Sequence, residues 1–372
     1  MKTRTLKLWL TAALAIPFLI QAALAQTASG AASTSLASLP DADMLIYISP
    51  QRLLNDAAPR VMAEKDVTAM RAAFADMKKS VGIDPSTVEY LVFAVRFHKP
   101  AGDLSFVAPD VMAVIGGDFS SDSLFSLAQL SLQDKVRIEK HGSKTMAVMR
   151  IDAIATEAEK MPMLKSLVEV GAVPLSANSL AIGNLPYLKS AIDAADGTGR
   201  INPATLDSLM RDPNVLVASA GTPLASFAKS LGLFGTEATP REGSCNTSFG
   251  NFYSAITLNG TNFSVRGAMN ADNPDTAKII SSLIQSLMQQ GAKPDAQTQS
   301  VLDTMKLTGK ETEMLWTIMK SVKMMPRDNE VVWEADIPQQ VIADALKPKP
   351  ASKAEAKPAA SPKRSVRRKR TR

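Results

Sequence analysis

The chain is poor in the residues that most often carry chemistry. Its 372 residues include one cysteine and two histidines, and aromatic side chains make up only 5%. A single thiol, Cys245, cannot close an internal disulfide, so the fold must be held by a hydrophobic core, and the length is enough to bury one or two. Cys245 itself reads as an inert loop thiol. Nucleophilic catalysis of the Ser-His-Asp or Cys-His kind needs a base beside its nucleophile, which leaves only His98 and His141. His98 follows a strand pattern, before Lys99-Pro100 and near Asp103, and His141 falls in a tight turn. Both read as solvated loop histidines. No Gly-x-Ser-x-Gly elbow occurs. Two distant histidines and one cysteine do not make a zinc site.

Acid pairs of the type Ca²⁺ favours occur at Asp41/Asp43 and Asp272/Asp275. The first lies at a strand entry and the second at a helix start, where acids already complement the helix dipole. Gly116-Gly117-Asp118-Phe119-Ser120-Ser121 stands between strand and helix, where backbone N–H groups could cradle a phosphate. Asp118 and Asp122 would repel one, and no lysine stands where a phosphate loop places it, so this reads as a turn with an N-cap. Scattered acids identify no glycosidase-like pair. The expectation is a chain with no metal and no cofactor, and not an enzyme.

Long apolar runs are also missing after the first residues: no later stretch approaches the roughly 18 that a spanning helix needs. The start is different. Lys2, Arg4 and Lys7 lead into the apolar run Leu8–Ile20, which closes on the small-x-small triplet Ala23-Leu24-Ala25. That order predicts a cleavable secretory leader over 1–25, with Gln26 as the new N-terminus, and so a protein exported to the periplasm or beyond with no transmembrane segment after cleavage. The absence of a cysteine after the triplet and of a twin-arginine pair argues against lipoprotein and folded-export routes.

Charge is divided unevenly. The overall +6 conceals a tail, Lys347–Arg372, whose six Lys, five Arg and one Glu give +10, and a leader that contributes +3. With both taken off, Gln26–Leu346 keeps about −7.

Between leader and tail, residues 26–38 are Ala, Ser, Thr and Gly and read as a flexible stretch. The pattern then predicts a strand at Met44–Ser49, helices within Pro50–Ala63 and Asp66–Val81, and strands at Tyr90–Phe97 and Asp110–Gly116. The unbroken apolar character of Tyr90–Val95 predicts burial on both faces. A helix capped by Ser120 or Ser121 follows to about Leu130, then a hairpin of Val136–Lys140 and Lys144–Ile151 around His141-Gly142-Ser143. A helix near Ala153–Val170, a strand at Ser179–Gly183 and a helix at Pro186–Ala195 complete the first half. The second half repeats the plan: a strand at Asn214–Ser219 before a Pro-led helix with Leu224 and Phe227, a hairpin of Phe252–Leu258 and Asn262–Met269 around Asn259-Gly260, an Asn273-capped helix Pro274–Gln290, an alternating strand Glu330–Asp336 and a helix Pro338–Leu346. The expected fold is therefore α+β: two tandem, weakly related strand-helix-strand-strand-helix-strand modules, at 39–200 and 201–346, with mainly antiparallel sheets covered by helices. The order leaves open whether they share one sheet.

Leu39-Pro40-Asp41-Ala42-Asp43 into Met44–Ile48, then Pro50-Gln51-Arg52-Leu53-Leu54-Asn55, and the late Pro326–Asp336, resemble a group of exported bacterial proteins of acidobacterial type, over most of Leu39–Leu346. The resemblance implies an exported compartment and a duplicated body, and carries no activity or site residue with it.

Two segments invite a function. Met314, Leu315, Ile318, Met319 and Val322 make one face of a helix within Met305–Met325, either core packing or an adaptable apolar groove. The tail, too rich in Pro, Ala and Lys to order itself, ends in Lys363, Arg364, Arg367, Arg368, Lys369, Arg370 and Arg372. After export its partners are anionic envelope surfaces (phospholipid, lipopolysaccharide or acidic polysaccharide) and not nucleic acid, and no aromatic is interleaved for stacking on bases. The sequence thus reads as an exported, non-enzymatic envelope-associated binding or structural protein tethered by its tail. A periplasmic carrier or chaperone for an apolar ligand, and a carboxylate-based hydrolase, are the alternatives.

Overall fold

A computed structural model describes residues 36–81, 84–98, 109–132, 135–150, 169–212, 214–222, 250–289, 317–318 and 320–346. The fold is α+β and, among the described residues, is built on one sheet of 12 antiparallel strands. The strands are β1 (Met44–Ile48), β2 (Val88–Arg96), β3 (Asp110–Gly117), β4 (Val136–His141), β5 (Lys144–Arg150), β6 (Glu169–Ser176), β7 (Ser179–Asn184), β8 (Val215–Gly221), β9 (Phe252–Asn259), β10 (Asn262–Asn270), β11 (Lys323–Arg327) and β12 (Glu330–Pro338). Their spatial order is β11-β12-β10-β9-β8-β1-β2-β3-β7-β6-β5-β4. The two halves of the chain thus share a sheet, joined where β1 pairs with β8 from Met44↔Gly221 to Ile48↔Val217. Outward from that joint one half runs β8-β9-β10-β12-β11 and the other β1-β2-β3-β7-β6, which the hairpin β5-β4 extends.

Alternation along β1 assigns the two faces. Leu45 and Tyr47 enter the larger core with Tyr90, Val92, Met112, Val114, Met146 and Val173, while Ile46 and Ile48 face a second core with Phe263, Val265, Ala335 and Ile337. The first core is roofed by α5 (Leu185–Ala195), whose Tyr187, Leu188, Ala191 and Ile192 are fully buried, and by the short α6 (Pro203–Leu209). Each such large side chain taken from water is worth about 1.5–3 kcal/mol. The second core is roofed by the turns that follow β1, which are α1 (Pro50–Arg52), a π-turn (Leu53–Ala57) and α2 (Ala58–Val61), together with α8 (Gln339–Leu346). Three longer helices are α3 (Glu64–Val81), α4 (Ser121–Leu132) and α7 (Pro274–Gln289). No described helix is long and apolar enough to cross a membrane.

Several sequence-based boundaries need correction. Residues Glu169 and Val170 stand in β6, a strand the pattern did not separate from the expected helix before it. The capped turn α6 went unpredicted, although Asn202 Oδ1 accepts from Ala204 N at 2.9 Å and Pro203 opens the helix. The β9–β10 loop is Gly260-Thr261, one residue later than expected: Asn259 pairs with Asn262, and Gly260 takes φ 56°, the left-handed value that a primed hairpin turn asks of its first residue. In β2 burial alternates: Tyr90, Val92 and Ala94 are closed off, while Leu91 and Phe93 are half-covered against the second core. The expected helices at 153–168 and around Leu224 and Phe227 lie outside the described residues, as do the leader and tail.

Candidate functional site

The densest polar cluster sits where β2 ends and β3 begins. Arg96 and Asp110 are cross-strand partners in register, so the ladder itself sets a guanidinium beside a carboxylate. Asp110 is 4% exposed. Its Oδ2 accepts from Arg96 Nη2 at 2.7 Å and Nε at 3.1 Å, and lies 2.9 Å from His98 Nε2. Its Oδ1 accepts from Asn184 Nδ2, and Asn184 Oδ1 in turn accepts from Val111 N at 2.9 Å. Burial alone would raise the Asp110 carboxyl, but the hydrogen bonds from Arg96, Asn184 and His98 outweigh it and hold the group below its ordinary value. Arg96 also lies over the Tyr187 ring, 4.6 Å from its centroid, and donates to Ser190 Oγ at 3.3 Å. The Tyr187 hydroxyl donates to Asp41 O at 3.0 Å, and burial raises its pKa well above the usual phenol range. Asp43 accepts from Phe97 N at 2.6 Å.

A carboxylate behind a histidine is the arrangement that orients a general base. Here, however, both Asp110 oxygens are filled by side chains of the protein, and among the described residues no hydroxyl or thiol is hydrogen-bonded to His98. Ser190 donates to Pro186 O. The cluster acts as a strut that ties β2, β3, the end of β7 and α5 together. His98 is therefore paired rather than merely solvated. So is His141, whose Nε2 lies 2.8 Å from Asp193 Oδ1.

That second contact belongs to a polar seam along the β4–β5 hairpin. Ser143 Oγ donates to Asp196 Oδ1 at 2.7 Å, and Lys189 Nζ lies 3.6 Å from Glu139. Arg137 donates from Nε to Glu139 at 2.7 Å and from Nη2 to Glu169 at 2.9 Å. These bonds hold both carboxyls below their ordinary values and Arg137 above its own.

The loop at Gly116–Ser121 behaves as a turn and cap. Asp118 N donates to Thr87 O at 3.0 Å, and Ser123 N donates to Ser120 Oγ at 3.2 Å. A shallow cavity of about 190 Å³ opens beside it, lined in part by Lys78, Asp84, Asp118 and Ser120. The lysine that the local sequence lacks thus arrives from α3, and it is spent on Asp84 at 3.0 Å. Of the acid pairs, Asp43 is used on backbone and Asp275 on Lys278 at 3.1 Å. Among the described residues no three metal-ligating side chains converge.

Of the apolar face read as core or groove, Ile318 and Val322 are half-buried against the second core; Met314, Leu315 and Met319 lie outside the described residues. So do Cys245 and every basic residue singled out in the tail. Sequence reasoning passed over Arg52. It is 4% exposed, and its two terminal nitrogens find no hydrogen-bond partner among the described residues. Burial lowers its pKa against the pull of Tyr47, Asp56 and Asp212. Nothing local distinguishes it from a surface arginine of a helical turn.

No family model and no curated protein matches the chain. Among solved structures it is similar to TP0453 in crystal form III, at 11% identity and a TM-score of 0.41, with 84% of this chain and 96% of that one covered. The same protein in crystal form I gives 12% identity and a TM-score of 0.39, over 84% and 96%.

Proposed function

We propose that this chain is an exported, non-enzymatic protein of the cell envelope, in which a rigid α+β body is tethered to an anionic surface by the basic tail. The division of charge carries the reading: a segment of +10 follows a body of about −7. The last described residue, Leu346, ends α8 and is 56% exposed, so the described body ends at its own surface. Each basic residue held near an anionic membrane contributes about 1 kcal/mol, so a cluster this dense can dominate a weakly acidic body at moderate salt. The saturated Asp110 network supports the non-catalytic part, because its strongest acceptor is fully engaged in joining strands.

The direct test is co-sedimentation of the exported chain with vesicles. Vesicles containing phosphatidylglycerol should bind it at low salt and release it as salt rises, while pure phosphatidylcholine vesicles should not bind it. A chain cut after Leu346 should bind neither. Equal binding by full-length and shortened chains would refute the tether.

A further inference from the structure

The sheet ends at β4, whose outer edge pairs with no strand among the described residues. The turn fixes which groups that edge offers. His141 and Lys144 flank the two-residue loop Gly142-Ser143 as its closing pair, with Gly142 at φ 53°. In an antiparallel ladder the hydrogen-bonded pairs alternate, so Arg137 and Glu139 turn their backbone groups inward to β5. Val136, Ile138 and Lys140 turn theirs outward. Each copy of the chain therefore presents three donors and three acceptors along this edge.

Exposed edges are usually blunted by proline, bulges or charge. The opposite edge is: β11 carries Lys323, Pro326 and Arg327. The β4 ladder has neither proline nor register shift, its charged residues Arg137, Glu139 and Lys140 are of both signs, and Ile138 at its centre is 53% exposed.

The sequence Val136-Arg137-Ile138-Glu139-Lys140 is complementary to itself when reversed. A two-fold axis at Ile138 sets Arg137 opposite Glu139 of a second copy, and this happens twice. It also sets Val136 against the aliphatic stem of the second Lys140, and the two Ile138 side chains against each other. Moving the axis one residue either way opposes two arginines or two glutamates, and moving it half a residue mismatches the outward backbone groups. Charge and backbone thus select one register. We propose that β4 is a self-pairing edge, through which two copies of this chain join antiparallel about Ile138 and make their sheets continuous. The hairpin is well held for this use, since His141–Asp193 and Ser143–Asp196 fasten its tip to α5.

Sedimentation velocity of the exported chain should show a species of twice the chain mass. Ile138→Pro removes an outward N–H that the β4–β5 ladder does not use. It deletes two interchain hydrogen bonds per dimer, so dimer dissociation should strengthen about 30-fold or more, at about 1 kcal/mol each, with an unchanged circular dichroism spectrum. If that variant misfolds, cross-linking decides. In a Cys245→Ser background, Ile138→Cys should form a disulfide dimer under mild oxidation, because facing Cα atoms stand about 5.5 Å apart. Val136→Cys should not, because its two copies are four positions out of step, about 13 Å. A monomeric parent chain, a dimer untouched by Ile138→Pro, or equal cross-linking at 136 and 138 would each overturn the proposal.

Discussion

Replacing Asp110 by Asn removes one charge from the centre of the network while keeping its shape. The carboxylate accepts four hydrogen bonds, two from Arg96 and one each from His98 and Asn184. The substitution leaves Arg96 a neutral amide oxygen in place of the carboxylate, with Ser190 and the Tyr187 face beside it. It also turns the new amide N–H₂ toward Asn184 Nδ2, which can only donate. Breaking a buried pair by removing one partner costs about 3–5 kcal/mol. The Arg96 side chain keeps 29% of its surface in water, and that hydration offsets part of the loss. The expected destabilisation therefore lies near the lower end, about 3 kcal/mol, read as a lower urea midpoint at unchanged slope. With Arg96→Met added, the double variant should lose at least about 1.5 kcal/mol less than the sum of the singles. Additive losses, or a loss below about 0.5 kcal/mol for Asp110→Asn, would refute the strut. The sign of the pH dependence follows from the lowered folded pKa. Between that value and the ordinary carboxyl pKa the unfolded chain binds the extra proton. The Asp110 contribution is present at neutral pH, declines as pH falls below about 4 and is gone below the folded pKa. Asp110→Asn should flatten that part of the acid limb.

Three further outcomes are expected. Burial, against the opposing pull of Arg52, pushes the Tyr47 phenol up to about 12; its stabilising part is intact below about pH 10 and lost as pH rises through 12, so Tyr47→Phe should weaken the alkaline limb of a stability-pH curve. Gly267→Ala would overlap the Trp333 ring and the Tyr253 carbonyl and should cost about 3 kcal/mol in urea unfolding, whereas Gly260→Ala, with open space around it, should suffer only the strain of its positive φ. The intact mass of the exported protein should correspond to a chain starting at Gln26, and a retained leader would contradict the export reading.

What was legible in the sequence was what is local. Val331 and Ala335 on one face of β12 follow from period-two alternation, and the Asn273 cap of α7 follows from Asn before Pro, with Thr276 N donating to Asn273 Oδ1 at 2.8 Å. The strand β6 was hidden because Val170-Gly171-Ala172-Val173 is an apolar run whose period does not separate strand from helix. The sharing of one sheet rests on β1 meeting β8, strands more than 160 positions apart whose apolar patterns specify burial but no partner. The Asp110 cluster was illegible for the same reason. Asn184 is 74 positions from Asp110, and an aspartate at a strand start looks like any turn acid until register sets Arg96 across from it. Arg52 shows the converse, since a residue type that usually marks the surface is here buried by the turns that follow β1.

In the proposed function the tail holds an exported body to an anionic envelope surface. Fractionating host cells that produce the full chain, beside cells that produce one ending at Leu346, tests it most directly. At low salt the full chain should sediment with the envelope and come off as salt is raised, while the shortened chain stays in the soluble exported fraction. Identical distribution of the two would contradict the account.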